Sequence, residues 1–366
     1  MAESEAPALK EMFDADRFRH IAEEMTAIYP KFDSKRFLSQ SLCNLESLPL
    51  KQRLRRMTES LHDTLPDDYR RALALLRKLA PRINLGFVTL ILPDYVSLYG
   101  LDDFEVSMDA LKFFTPFGSS EFGVREFLRR DLARTLKVME TWACDENASV
   151  RRLASEGSRP RLPWSFHLEA LIADPSPTAP ILERLKADPD LSVRKSVANH
   201  LNDIAKDHPA WVLDRIESWS LEHPHTAWIA KHALRTLIKK GDRRALAVIG
   251  AGEKPELRVR DLLLSPREFS LGGQLTLTFR LESTAAKSQR LVVDYIVHYV
   301  KKSGGTTAKV FKLKELLLEA GASVSITHRQ SIRNFTTRVH HAGRHVVEIA
   351  VNGEKLAKAF FDLTIP

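Results

Sequence analysis

The stretch Asp145–Trp164, DENASVRRLASEGSRPRLPW, decides how the first two thirds of the chain are read. Val150, Leu153, Ala154 and Gly157 fall at i, i+3, i+4 and i+7, the spacing that places side chains on one buried face of a short helix. Arg152, Ser155, Glu156 and Arg159 form a second, polar stripe facing elsewhere. Forty-three positions on, Asp188–Asp203 reads DPDLSVRKSVANHLND, in which Ser192, Val193, Arg194 and Lys195 match Ser149, Val150, Arg151 and Arg152. A weaker third copy, WIAKHALRTLI at Trp228–Ile238, puts Lys231 in the register of Lys195. Three units sharing a pattern predict stacked helical repeats, in which each unit buries its apolar face against the next.

Outward from this stretch, the helical period persists. Leu9–Ile28, Phe32–Leu48, Leu50–Leu61, Asp67–Leu79, Tyr95–Phe113 and Ser119–Trp142 carry apolar residues at three- and four-residue spacing, with Pro30, Pro49, Pro66 and Pro81 at or near the breaks. Asp67 and Asp68 favour a helix start electrostatically. Trp142, Trp211 and Trp219 sit in apolar helical patterns and are expected in the core, whereas Trp228, opening the third copy, is ambiguous. Residues 1–250 therefore read as entirely helical. GAGEKPE at 250–256 is a linker, and beyond it the period becomes two. Gln274–Glu282, Arg290–Val300, Ala308–Leu313, Ser323–Arg329, Arg344–Val351 and Ala357–Ile365 read as strands, with turns at Gly272-Gly273, Gly304-Gly305 and Asn352-Gly353. The expected architecture is multidomain: an all-α repeat solenoid over 1–250, then an all-β immunoglobulin-like sandwich over 257–366.

The 366 residues leave room for two or three domains. Net charge is +8, and its distribution says more than its sum. Leu257–Pro366 holds 17 Lys/Arg against nine Asp/Glu, so the remainder is neutral with 38 of each. Such a basic region suits a phosphate-bearing partner. Cys43 and Cys144 fit no metal-ligand spacing and no disulfide framework, which points to a reducing compartment, expected to be the cytoplasm. The opening MAESEAPALKEMF lacks the pattern of a secretory signal, and no apolar run reaches the length of a membrane span.

Arg152, Lys195 and Lys231 recur once per unit; stacked side by side they would line a surface suited to an extended polyanion, extended by Arg159, Arg161, Arg194 and Arg235. Ordinary solvated cations are the competing reading. Glu156 breaks the basic stripe, since its counterparts are Asn199 and Arg235. On the residues alone an i,i+4 ion pair with Arg152 explains it more simply than catalysis. Glu121, in FGSSEFGVREF, precedes a basic helix with Arg125, Arg129 and Arg130 and reads as a helix-start carboxylate. Trp164, after Pro163, either caps the repeat core or stands open as a platform for a base or sugar. In the sandwich, Lys301, Lys302 and Lys309 flank one turn, and Arg329, Arg333, Arg338 and Arg344 surround a polar loop, a second candidate phosphate patch or a soluble basic edge. The pairs His223/His225 and His340/His341 lack metal-ligand spacing; no phosphate loop, HExxH, paired CxxC or GxSxG elbow is present, and no metal site is expected.

The order of LKEMFDADRFRHIAEEMTAIYPKFD, SVRRLASEGSRPRLPW, DLSVRKSVANHLNDIAKDHP and the C-terminal DYIVHYVKKSG, KVFKLKE and HHAGRHVVEIAVNG resembles the alkylpurine DNA glycosylases built from HEAT-like repeats, in particular their AlkC branch, over nearly the whole chain. The resemblance implies removal of 3-methyladenine and 3-methylcytosine from double-stranded DNA in base excision repair, by a bacterial, nucleoid-associated monomer that needs no metal or other cofactor. It gives Glu121 and Glu156 a catalytic reading, sets Trp164 against the lesion, and assigns Arg152 and Arg159 to flanking phosphates. It also implies an approach to the lesion through the backbone rather than by base flipping. One departure stands out: the related AlkD branch has a tryptophan in its RKxxxW unit, where this chain has Asn199. A non-catalytic DNA-binding scaffold on the same surface is the alternative, and a protein-interaction solenoid the third reading. Salt-sensitive DNA binding separates the third from the first two, and base release separates the first from the second.

Overall fold

The computed structural model describes residues 9–83, 86–335 and 338–365. Helices run to Val248 and strands begin at Leu257, so the change of period in the sequence marks the change of structure. By packing, the chain divides into two compact units: one runs through His208 and includes Ser220–Ile229, and the other comprises Pro209–Trp219 and everything from Ala230 on. The second unit therefore takes in the last helices as well as the sandwich.

Six of the described helix starts in the first unit are set by a short polar side chain that accepts an orphan backbone N–H. Asp14, Asp33, Asp68 and Asp131 accept from the amide three residues on, at 2.9, 3.0, 2.8 and 3.1 Å. Asn147 and Asp190 accept from the amide two residues on, at 2.8 and 2.7 Å. Several predicted stretches are thereby divided. Leu9–Ile28 is a 3-10 turn, Leu9–Met12, and a helix, Ala15–Ile28, separated by the Asp14 cap. The Tyr95–Phe113 stretch splits into Ile91–Tyr99 and Phe104–Phe114 at Gly100, where a Cβ would stand 2.2 Å from the Tyr69 hydroxyl. Ser119–Trp142 splits at Asp131, which ends Val124–Arg130 and caps Leu132–Trp142. Trp142 and Trp219 are buried as expected, while Trp211 is half-buried beneath Arg215.

The polar stripe of the opening stretch does not face solvent. Along Ala148–Gly157 both faces are covered: Val150, Leu153 and Ala154 are buried, and so are Ser155 and Glu156. The helix Leu191–Ile204, its repeat copy, packs against it and takes up the polar side.

The sandwich consists of β1 (Leu257–Ser265), β2 (Glu268–Ser270), β3 (Gln274–Ser283), β4 (Gln289–Val300), β5 (Thr306–Leu318), β6 (Ser323–Ser331), β7 (Gly343–Val351) and β8 (Glu354–Thr364). The sheet β1-β3-β6 faces the sheet β2-β8-β7-β4-β5. β1 and β2 are absent from the predicted strands; β1 alternates in two short runs whose phase is broken by a bulge between Arg260 and Leu263, where Asp261 has φ of 54°. β3 alternates almost perfectly, whereas β4 is buried nearly throughout. Leu291, Val293, Tyr295 and Val297 enter the core between the sheets, while Val292 packs on the other side with Leu246 and Ala251, from the last helix and the start of the linker. The Asn352-Gly353 turn has φ of 47° and 80° at its two residues, as a tight hairpin requires.

Candidate active site

Three elements of the first unit converge: the turn Ser119–Gly123 with the helix Val124–Arg130, the helix Ala148–Gly157 with the loop after it, and the helix Leu191–Ile204. Gly157 permits the first two to meet, since a Cβ there would stand 2.5 Å from a Val124 methyl carbon. The loop from Ser158 to Phe166 is held from below by Arg125. This fully buried guanidinium donates to the carbonyls of Gly157, Arg159 and Phe166 at 3.0, 2.7 and 2.5 Å, and it lies 5.3 Å from the centre of the Phe166 ring. Burial, and then the neighbouring Arg159 charge, push Arg125 down to about 10, so it remains a cation at neutral pH.

Trp164 sits at the turn of this loop with φ of 67°, a conformation that costs a bulky residue about 1–3 kcal/mol. Lys51 donates to its carbonyl, and Phe87 presents its ring edge-on at 6.1 Å. The indole is 55% exposed, which excludes the core-capping alternative. It borders a cleft of about 400 Å³ that also touches Phe87, Phe122, Glu121, Arg152 and Glu156.

The charged groups of the cleft alternate in sign. Glu121 accepts from Ser119 at 2.7 Å and from Arg152 at 2.8 Å, both on Oε2. Arg152 lies 3.8 Å from Glu156 Oε1, and the same oxygen accepts from Arg159 at 2.7 Å. Arg159 then reaches Asp203 at 2.9 and 2.8 Å, and Asp203 accepts from Lys206 at 2.9 Å. The i,i+4 pair expected of Glu156 is thus the weaker of its two arginine contacts, and the i+3 partner Arg159 the tighter. Burial by itself would lower Arg159, yet the flanking carboxylates hold it above its ordinary value. His200, fully buried nearby, is pushed down to about 3 by burial and by the Arg159 charge and is therefore neutral. Two carboxylates, each beside an arginine, thus face one partly dry cleft, where charge interactions are stronger than in open water.

The cations expected to line a DNA surface are differently disposed. Arg152, with 29% of its side chain exposed, stands at the cleft. Arg159 is 8% exposed and its guanidinium is taken by Glu156 and Asp203, so its geometry serves the carboxylate rather than a phosphate. Arg161 is paired with Asp207 at 3.1 and 3.0 Å. Arg194 donates to the carbonyls of Asp188 and Pro189 at 2.9 and 2.6 Å and lies over Trp228. Lys195 is exposed. Lys231, bonded to Glu315 at 2.6 Å, and Arg235, bonded to the His232 carbonyl at 2.7 Å, belong to the second unit. Lys301 and Lys302 are exposed at the β4–β5 turn. Sequence reasoning did not single out Asp203, Ser119, Lys51, Phe87 or the loop-holding role of Arg125. Asp203 alone carried a signal, a carboxylate closing the second repeat copy.

A family model described as DNA alkylation repair enzyme matches residues 115–238, and one described as the C-terminal Ig-like domain of uncharacterised protein YhaZ matches residues 258–365. The chain is 42% identical to the uncharacterized protein YhaZ of Bacillus subtilis (strain 168), over 94% of this chain and 96% of that protein. It superposes with a TM-score of 0.96 on the solved structure of the Pseudomonas fluorescens alkylpurine DNA glycosylase AlkC bound to DNA containing an abasic site analog. That protein is 58% identical, with 98% of this chain and 100% of the other covered. The chain belongs to the AlkC-type DNA alkylation repair family. Its architecture, helical repeats followed by an immunoglobulin-like sandwich, is accordingly that of the AlkC type. All residues of the charge alternation, from Ser119 to Lys206, fall inside the DNA alkylation repair match. Among the described residues of this AlkC-type chain, no cluster of three or more His, Cys, Asp or Glu could hold a metal ion, and no helix is long and apolar enough to cross a membrane.

Proposed function

We propose that this chain is a monofunctional DNA glycosylase that hydrolyses the N-glycosidic bond of cationic N3-alkylated bases, 3-methyladenine and 3-methylcytosine, in double-stranded DNA. The observation that carries the reading is the pair Glu121 and Glu156 at one cleft, each charge-paired with an arginine, beside the half-exposed indole of Trp164. The AlkC relative bound to DNA containing an abasic site analog supports it, since such DNA resembles the product of base removal.

Alkylation at N3 makes the base a cation and a good leaving group, so no acid is needed to protonate it. As the bond between C1′ and the base nitrogen breaks, its electron pair neutralises the base and positive charge moves to the deoxyribose. The carboxylates stabilise that oxocarbenium-like charge and orient a water, whose oxygen bonds to C1′ and whose proton passes to a carboxylate. Both contacts to Glu156 fall on Oε1, and Oε2 takes no hydrogen bond from the described residues, which suits it to the water or the sugar. Trp164 packs on the sugar or base, and Arg152 at the cleft contacts a flanking phosphate. In this reading residues 1–250 carry the chemistry, the basic sandwich of residues 257–366 grips the duplex through groups such as Lys301 and Lys302, and a monomer acts on bacterial nucleoid DNA in the cytoplasm. Water is the only co-reactant.

Incubating methylated duplex with folded protein and measuring free 3-methyladenine and 3-methylcytosine tests the reading; release no faster than the spontaneous rate leaves only the DNA-binding scaffold. Glu156→Gln is expected to slow single-turnover excision by about 100-fold or more, the size of a lost charge-stabilising group, with DNA affinity changed far less. Equal losses in rate and affinity would reduce Glu156 to a binding residue.

A further inference from the structure

Arg125 is fully buried on the helix Val124–Arg130, and among the described residues it pairs with no carboxylate. Nη1 donates to the carbonyls of Gly157 and Arg159, Nη2 donates to that of Phe166, and Nε is buried without an acceptor. The other large buried cation, Arg53, also donates to carbonyls, those of Leu48, Lys10 and Phe13, but it has Glu46 at 3.3 Å as well. A charge held by neutral carbonyls alone recovers little of its lost hydration, so stability is a weak account of Arg125. What it holds is the better account. We propose that Arg125 is a positioning residue for base excision, which sets Glu156 and Trp164 in register with each other through the backbone of the loop between them. The inference rests on the glycosylase reading above.

The three carbonyls bracket the residues of the cleft. Gly157 directly follows Glu156, Arg159 carries the guanidinium that bonds Glu156 at 2.7 Å, and Phe166 lies two residues past Trp164. One planar fork therefore fixes the end of the Glu156 helix and the chain on both sides of the Trp164 turn. That turn has φ of 67° at Trp164, an unfavourable conformation for a bulky residue that persists only where its surroundings impose it. The Phe166 ring, 5.3 Å from the Arg125 guanidinium and 4.7 Å from that of Arg129, adds a second hold on the same end of the loop. Lysine could keep the charge but not the fork, since an ammonium is a point donor. Because Arg125 meets the cleft only through these backbone groups, its contribution is to geometry. The carbonyls held by Arg53 belong to residues that do not line the cleft, which makes Arg53 the matching clamp without a positioning role.

The test uses the full chain and measures single-turnover excision of 3-methyladenine separately from affinity for a duplex containing an abasic-site analog. Arg125→Lys should slow excision by about 30-fold to 100-fold, the scale of a misplacement of about 1 Å, and leave affinity within about threefold of the parent. Arg53→Lys is the control and should keep the rate within about twofold. In a Trp164→Ala background the loss caused by Arg125→Lys should shrink by about threefold or more, because one of the two positioned groups is gone. A full rate in folded Arg125→Lys, equal losses of rate and affinity, or losses that simply multiply in the double variant overturn the inference. If Arg125→Lys does not fold, Phe166→Leu, which removes only the ring against the guanidinium, is judged by the same criteria with an expected loss of about threefold to tenfold. Acrylamide quenching of the Trp164 emission, taken as the difference between each protein and its Trp164→Phe form, needs no catalysis. It should rise in Arg125→Lys and stay at the parent level in Arg53→Lys. A parent that releases no base while the quenching changes as expected overturns the glycosylase reading and keeps the loop clamp. A parent that excises, with Arg125→Lys unaltered in rate and in quenching, overturns the positioning inference alone.

Discussion

The helices Ala148–Gly157 and Leu191–Ile204 are two copies of one repeat packed against each other, and they differ in what they do with the same beginning. Both start on an Asx cap, Asn147 and Asp190. In both, the first arginine of the motif folds back to close the helix start: Arg151 donates to the carbonyls of Asp145 and Glu146, and Arg194 to those of Asp188 and Pro189. The shared arginine is thus a structural staple, and the next position differs between the copies: Arg152 is half-buried against Glu121, whereas Lys195 is exposed. Beyond the first turn the copies diverge. Where the first has Glu156, Gly157 and Arg159, the second has Asn199, His200 and Asn202, and it contributes Asp203 to the Arg159 of the first. One copy supplies the glutamate and the arginine that holds it, and its neighbour the second carboxylate on that arginine.

The most damaging way to break this division is Asp203→Ala, which leaves the buried Arg159 with a single carboxylate. It should cost about 3–5 kcal/mol of stability by denaturant titration, the usual result of removing half of a buried pair, and slow excision as well. A loss below about 1 kcal/mol would show that the second copy is not needed to hold Arg159. The staples can be compared directly. Arg151→Met should cost about 3 kcal/mol, because it also strands the buried Asp188 that it pairs with, whereas Arg194→Met should cost about 1–2 kcal/mol. Equal losses would mean that the Asp188 pair contributes nothing beyond the shared staple.

The buried imidazole of the second copy gives a pH test. The folded value of His200, about 3, lies below the unfolded value near 6.5, so the folded state takes up its proton later than the unfolded state does. Its contribution is therefore complete above about pH 6.5 and falls by about 1.4 kcal/mol per pH unit as pH drops from there toward 3. Replacing His200 with Phe should flatten the stability profile in that window relative to the parent; parallel profiles would show that His200 titrates normally. The smallest effect is expected at the outward position of the second copy. Lys195→Ala should change stability by less than about 0.5 kcal/mol and lower the salt dependence of DNA binding by about one unit of slope. An unchanged slope would remove Lys195 from the DNA surface.

Much of this was legible along the chain because it is local. Helices, their period, the switch to strands near residue 250 and most turns follow from side-chain spacing and from residues such as Asp68 and Asn352-Gly353. The exceptions have local causes too: Asp14 and Asp131 divide what periodicity joins, and β1 escapes detection because a bulge between Arg260 and Leu263 breaks its alternation. The site was legible only in part. Glu121, Glu156 and Trp164 stood out as unusual residues, but spacing favoured bland explanations for both glutamates, and it paired Glu156 with Arg152 when Arg159 is closer.

The sequence by itself determined the two kinds of secondary structure, the repeat and the odd glutamate within it, because periodicity and capping act over a few residues. Tertiary structure decided which cations are staples, which are buried counter-charges and which remain outside. Arg125 reaches carbonyls more than 30 positions away, Arg159 meets Asp203 across 44, and Lys51 holds the Trp164 carbonyl across 113. A charged group's role depends on the groups brought beside it and on how much water they exclude, and neither is encoded in its neighbours along the chain.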